Sequence, residues 1–209
     1  MLRIIIADDH TIVRRGLRDV IKDEFPSALI EEVGDAESLV KRVIKEEWDL
    51  VITDINMPGR SGLDALQQIK LHYPKLPVLV LSVYPEDQYG IRALKAGASG
   101  YMTKGAAPEE LVQAIHTLLL GRKYITPAVA EKLASVFDRE NDRPPHELLS
   151  DREFEVFKHL AQGKSVSEIA AAANLSVTTI STYRARILMK MNMKTNADIT
   201  VYAVEKKLV

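Results

Sequence analysis

The chain has 209 residues, 46% of them hydrophobic and 27% charged, which suits one large or two small globular domains. It has no cysteine, which excludes a disulfide framework and thiolate metal sites and fits a reducing cytoplasm. The formal charge of −1 hides an asymmetry: residues 1–143 carry 19 Lys/Arg against 22 Asp/Glu, whereas residues 174–209 carry six against two. That basic C-terminal segment hints at a polyanionic partner.

The first apolar run, residues 4–7, is followed at once by Asp8 and Asp9. It is too short for a signal peptide or a membrane span. Short β-branched runs at residues 3–7, 29–33, 50–53, 78–82 and 100–102 then alternate with stretches of helical spacing at 12–24, 36–47, 63–73, 86–96 and 108–120. Five strand–helix units imply a parallel sheet with helices on both faces. Residues 121–138 read as one connecting helix with Pro127 near its first turn, and the charged, proline-ended stretch 138–145 reads as a linker.

After the linker the pattern is helical only. Ser150 and Glu153 make a capping box, with Leu149 and Phe154 placed as a hydrophobic staple, and Ser165 and Glu168 repeat the box. Asn174–Leu175–Ser176 breaks the chain; Ser176 can cap a helix running to about 191, and a last helix spans about 195–207.

In a doubly wound sheet, ligands bind outside the carboxyl ends of the strands. Asp8 and Asp9 follow the first strand and Asp54 ends the third, so their carboxylates can converge. Three carboxylates in one volume call for a hard divalent cation such as Mg²⁺. Ser82 and Lys104, at the ends of the fourth and fifth strands, add a hydroxyl and an ammonium suited to a phosphoryl oxygen. Any one of these groups alone reads as a solvated loop residue; five at the correct strand ends do not.

These residues resemble the receiver domain of two-component systems. The resemblance rests on Asp8–Asp9, on Asp54 with Met57, Pro58 and Gly62, on Ser82, and on the run from Ala96 to Lys104. It implies a flavodoxin-like, doubly wound five-stranded parallel sheet of order 2-1-3-4-5. It also implies that Asp54 accepts a phosphoryl group from a sensor histidine kinase. Asp8, Asp9, Asp54 and the backbone carbonyl of Asn56 would hold Mg²⁺, Lys104 would pair with the phosphoryl group, and Ser82 and Tyr101 would be the switch pair, Tyr101 turning inward from solvent. Receivers usually carry proline after the lysine; here Gly105 stands there, so a cis peptide is not expected.

In the C-terminal part, residues 166–173 and 176–191 supply the two helices of a helix-turn-helix. Ile180, Ile187 and Met191 mark an inward stripe with Tyr183 at its edge. Ser181, Thr182 and Ala185 then face bases, and Arg184, Arg186 and Lys190 face phosphates. Leu149 to Glu153, Ala161–Gln162–Gly163, Glu168–Ile169–Ala170, Thr179–Ile180 and Lys190–Met191 resemble the LuxR-type domain of NarL/FixJ regulators, and residues 179–184 resemble the subgroup of BvgA and EvgA. The resemblance implies a second, all-α four-helix domain and a cytoplasmic, non-membrane protein that is not an enzyme beyond its own phosphotransfer and slow dephosphorylation. Its partners would be double-stranded promoter DNA, RNA polymerase and, when phosphorylated, a second copy of itself. Ile199, Tyr202, Ala203 and Lys206 on the last helix are spaced to form a dimer seam; the alternative is that Ile199 and Tyr202 cover the domain's own core.

The expected division is a receiver at 1–121, a connecting helix and linker at 122–147, and the helix-turn-helix domain at 148–209. Two rivals stand beside it. A haloacid-dehalogenase-type phosphatase also ends a strand with Asp and uses Mg²⁺, but needs a second Asp two residues on, where Asn56 stands. A stand-alone phosphorelay receiver would not carry the C-terminal helices.

Overall fold

A computed structural model describes residues 1–57, 60–137 and 144–209. They divide into two compact units, Met1–Ser135 and Val136–Val209.

The first unit is a doubly wound α/β fold. Its strands are β1 (Arg3–Ala7), β2 (Leu29–Val33), β3 (Leu50–Asp54), β4 (Val78–Ser82) and β5 (Gly100–Thr103). They form one parallel sheet in the order β2-β1-β3-β4-β5. Helices α1 (Thr11–Glu24), α2 (Ala36–Lys45), α3 (Gly62–His72), α4 (Glu86–Lys95) and α5 (Pro108–Leu119) connect and follow the strands. Strands covered on both faces need apolar side chains on both, and Ile4, Ile5, Ile6, Leu50, Val51, Leu79 and Val80 are all buried. Helices α1 and α3 end alike: Lys22 Nζ donates to the carbonyls of Pro26 and Ala28, and Lys70 Nζ to those of Pro74 and Leu76. Each lysine ties a helix end to the turn that feeds the next strand, where orphan carbonyls and the helix dipole favour a cation.

The segment after α5 departs from expectation. Helix α5 stops at Leu119, Gly121 adopts φ +73°, and Tyr124 pairs with Gly100 at the sheet edge, its N–H donating to Ser99 O at 2.9 Å. The next helix, α6 (Pro127–Phe137), begins only there. Residues 121–126 are therefore not helical: a left-handed glycine ends α5, and the freed chain caps the edge of β5. Val129 packs so closely on α4 that a Cβ on Gly90 would come within 2.7 Å of it, and Thr126 donates to Glu86. The expected linker, 138–145, lies outside the described residues except for Pro144 and Pro145.

The second unit holds a 3-10 turn (Pro145–Leu148) and helices α7 (Asp151–Ala161), α8 (Val166–Ala173), α9 (Val177–Lys190) and α10 (Asn196–Glu205). Both expected capping boxes form, at Ser150/Glu153 and Ser165/Glu168, and Thr195/Asp198 adds another. Asn174 closes α8 in the left-handed region (φ 53°), which asparagine tolerates better than most residues. Phe154, Phe157, Ile169, Ile180, Ile187, Ile199 and Ala203 form the core.

Candidate functional site

Parallel register sets the acidic pocket. Ala7 pairs with Thr53 and Ser82 with Thr103, so the residues just past these positions emerge at the same end of the sheet. Asp8, Asp54 and Lys104 do meet there, and Ser82 stands at the same end, its backbone carbonyl accepting from the Lys104 N–H at 2.7 Å. Lys104 Nζ lies 2.6 Å from Asp8 Oδ2 and 2.6 Å from Asp54 Oδ2. Asp54 is 3% exposed, and its Oδ1 is buried without a hydrogen-bond partner. Gly62 is required beside it: a Cβ there would lie 1.7 Å from the Asp54 carbonyl oxygen. This accounts for the glycine eight residues beyond Asp54.

Burial pushes the Asp54 carboxyl above the ordinary carboxylate range, and Asp8 adds to this; Lys104 and the Asn56 N–H oppose it and are outweighed. Burial also works against the Lys104 ammonium, but Asp54 and Asp8 outweigh it and hold the ammonium above its usual value. Three carboxylates against one ammonium leave the pocket short of positive charge. Ligand atoms of Asp8, Asp9, His10 and Asp54 lie within 4.8 Å of one another, so these residues could hold a metal ion. The orphaned Asp54 Oδ1 and the all-oxygen set from the three aspartates suit a hard divalent cation. His10 was not singled out from the sequence, though its place directly after Asp9 is a signal. Its Nδ1 lies 2.6 Å from Asp9 Oδ1, and its N–H donates to Asp8 Oδ1 at 2.8 Å.

Ser82 and Tyr101, the expected switch pair, are adjacent. Tyr101 is 1% exposed, and its hydroxyl donates to the Tyr84 carbonyl at 2.8 Å. Burial raises its pKa, with the Ser82 hydroxyl opposing. The structure thus holds Tyr101 at the inward end of the expected swing. Ser82 Oγ accepts from the Tyr84 N–H at 3.2 Å, and the Tyr84 ring stacks on Tyr89 of α4 with centroids 4.4 Å apart.

In the second unit, Ile180, Ile187 and Met191 are buried and Tyr183 is half-buried, as their spacing predicts. Ser181, Thr182, Ala185, Arg186 and Lys190 are exposed. Two of the three expected phosphate contacts already have partners. Lys190 Nζ lies 2.6 Å from Glu153 Oε2, and Arg184 Nε donates to Asn196 Oδ1 at 2.6 Å. Glu153 is 3% exposed, and the same oxygen accepts from the Ser150 N–H, so Lys190 is the counter-ion of a buried cap. Burial raises the Glu153 carboxyl, but Lys190 and Ser150 outweigh it and hold it below the usual range. On α10 the core reading wins: Ile199 and Ala203 are fully buried, and the Tyr202 hydroxyl bonds His146 Nδ1 at 2.8 Å. The exposed large apolar residues of that helix are Val201 and Val204, 58% and 60% exposed.

The family model for the response regulator receiver domain matches residues 4–116. The chain is a response regulator. The model for bacterial regulatory proteins of the luxR family matches residues 147–203. This response regulator is 33% identical to the response regulator GacA of Pseudomonas viridiflava, over 100% of this chain and 98% of that one. It is 32% identical to the response regulator UvrY of Escherichia coli strain K12, over 100% and 96%. Among solved structures, RcsB from Salmonella enterica serovar Typhimurium, bound to promoter P1flhDC in the presence of the phosphomimetic BeF3−, is 29% identical. It covers 96% of this chain and 97% of its own, with a TM-score of 0.60. No helix among the described residues is long and apolar enough to cross a membrane.

Proposed function

We propose that this response regulator accepts a phosphoryl group on Asp54 from a sensor histidine kinase and binds promoter DNA through α9 in response. The observation that carries the reading is the buried, unpartnered Asp54 Oδ1 beside a Lys104 shared with Asp8. As the carboxylate attacks, a phosphorus–oxygen bond to Asp54 forms while the bond from phosphorus to the donor's nitrogen breaks. The acyl phosphate is a dianion where Asp54 was a monoanion, and Lys104 is already in place to pair with it. Asp8, Asp9, Asp54 and the Asn56 carbonyl would hold Mg²⁺, which when bound neutralises charge on the phosphoryl oxygens. Ser82 donates to the new phosphoryl group, and its Tyr84 neighbour carries the change to Tyr101 and α4. Water then hydrolyses the acyl phosphate slowly, which resets the switch.

On the DNA side, Ser181, Thr182 and Ala185 read bases, and Arg186 grips the backbone, with Arg184 positioned by Asn196. One recognition helix reads only a few base pairs, so a dimer on two half-sites supplies specificity. Val201 and Val204 are the apolar contact that α10 offers a second copy. Residues 1–121 form the receiver and 148–209 the DNA reader. The segment 122–147 joins them, and RNA polymerase is the machine they instruct, in the cytoplasm. The test is a gel-shift on genomic fragments with and without acetyl phosphate. Phosphodonor-dependent retardation that disappears in Asp54→Ala is expected; equal retardation under all conditions sinks the reading.

A further inference from the structure

The β1–α1 loop carries two of the three pocket carboxylates, and like charges gathered there repel one another. Arg14, in the first turn of α1, holds that loop. Its Nη1 donates to the Asp8 backbone carbonyl, and its Nη2 donates to Thr11 Oγ1 at 3.1 Å. On the other side, its Nε lies 3.4 Å from Glu32 Oε2. Glu32 stands on β2, paired with Ile6 of β1, and its second oxygen takes Arg18 Nη1 at 3.1 Å. Arg14 is largely buried, with 14% of its side chain exposed. The Asp8 N–H donates to Val33 O at 3.2 Å, so the Asp8 main chain is tied at both ends while its carboxylate faces Lys104 in the pocket.

We propose that Arg14, braced by Glu32, is a positioning residue for the divalent cation of the pocket; this rests on the reading above that the pocket holds Mg²⁺. A guanidinium presents several donors in a fixed plane, so it donates to a carbonyl and a hydroxyl at once while its charge faces the Glu32 carboxylate, an arrangement that a lysine ammonium on a flexible stem does not reproduce. With Arg14 in place, Asp8 and Asp9 stay aimed at Asp54 before any cation arrives. Without it the carboxylates separate, and a cation must gather them again. The loss falls on affinity and spares the chemistry once the site is full.

The experiment titrates MgCl2 by calorimetry into the full chain as wild type, Arg14→Gln, Arg14→Lys and Arg18→Gln. Each variant is also labelled with acetyl phosphate at saturating Mg²⁺ and melted thermally. Arg14→Gln should weaken Mg²⁺ binding about tenfold, in the range lost when a partner of a metal ligand is removed. Arg14→Lys should fall in between, and Arg18→Gln, which shares Glu32 but does not touch Asp8, should bind as wild type. The saturating labelling rate should be unchanged throughout. An Arg14→Gln protein with wild-type affinity overturns the proposal, as does an equal loss in Arg18→Gln, which would mark general loosening of α1. If Arg14→Gln does not fold, Arg14→Lys decides, and wild-type affinity there overturns the role. A wild type that binds no Mg²⁺ sinks the cation reading itself, and this proposal with it.

Discussion

The acidic pocket and the recognition helix hold their functional groups in different ways. In the pocket, Asp8, Asp54, Ser82 and Lys104 are carried by strand ends whose register is fixed by the sheet ladder, and all four lie at one end of it. On α9, periodicity fixes only which residues face outward. What an outward residue touches then depends on which neighbour reaches it, and Glu153 of α7 reaches Lys190. A position in a register specifies a role; a position on a helix surface specifies only exposure.

The largest expected effect tests the pocket. Asp54→Ala, incubated with acetyl phosphate and Mg²⁺ and trapped with borohydride, should carry no label by mass spectrometry. Label at the wild-type level would show that the register argument had picked the wrong carboxylate.

Next comes Lys190, where the two regions contrast most. Removing it leaves Glu153 buried without its counter-ion, so Lys190→Ala should destabilise the C-terminal unit by about 2 kcal/mol. The sign with pH follows from Glu153. Its folded pKa lies below its unfolded value, so the stabilisation is present above the ordinary carboxylate range and is lost as pH falls through the folded value. The stability gap between wild type and Lys190→Ala should therefore close on acidification, as read by denaturant melts at several pH values. A variant that melts like wild type but loses salt dependence in DNA binding would restore Lys190 as a phosphate grip.

Arg186 provides the matching control. Arg186→Ala should leave stability unchanged and reduce the slope of log affinity against log salt by about one, on target and scrambled DNA alike. Thr182→Ala should instead alter the preferred sequence. If both variants changed only overall affinity, the division of α9 into base and backbone contacts would fall.

The smallest effect is kinetic. Tyr84 lies two residues past Ser82, where its ring is held against Tyr89, and the expectation is that it obstructs the water that attacks the acyl phosphate. Tyr84→Ala should shorten the life of the phosphorylated state severalfold, followed by decay of label after the donor is removed. An unchanged decay rate would show that the stacked ring stands clear of that path.

The sequence by itself determined the sheet, its helices, the capping boxes at Ser150 and Ser165, and the pocket at the strand ends. Those features depend on patterns of two to four residues and on strand-end position, which a linear chain displays. It also determined which residues of α9 face inward. The tertiary structure alone decided that Gly121 ends α5 and sends Tyr124 to the edge of β5, and that Ile199 and Ala203 are core. It alone decided that Tyr101 points inward and that Lys190 belongs to Glu153. Each of these turns on a contact between residues far apart in the chain, or on two partners competing for one group. Local periodicity is blind to both, because the winner is set by distance and burial in the folded protein.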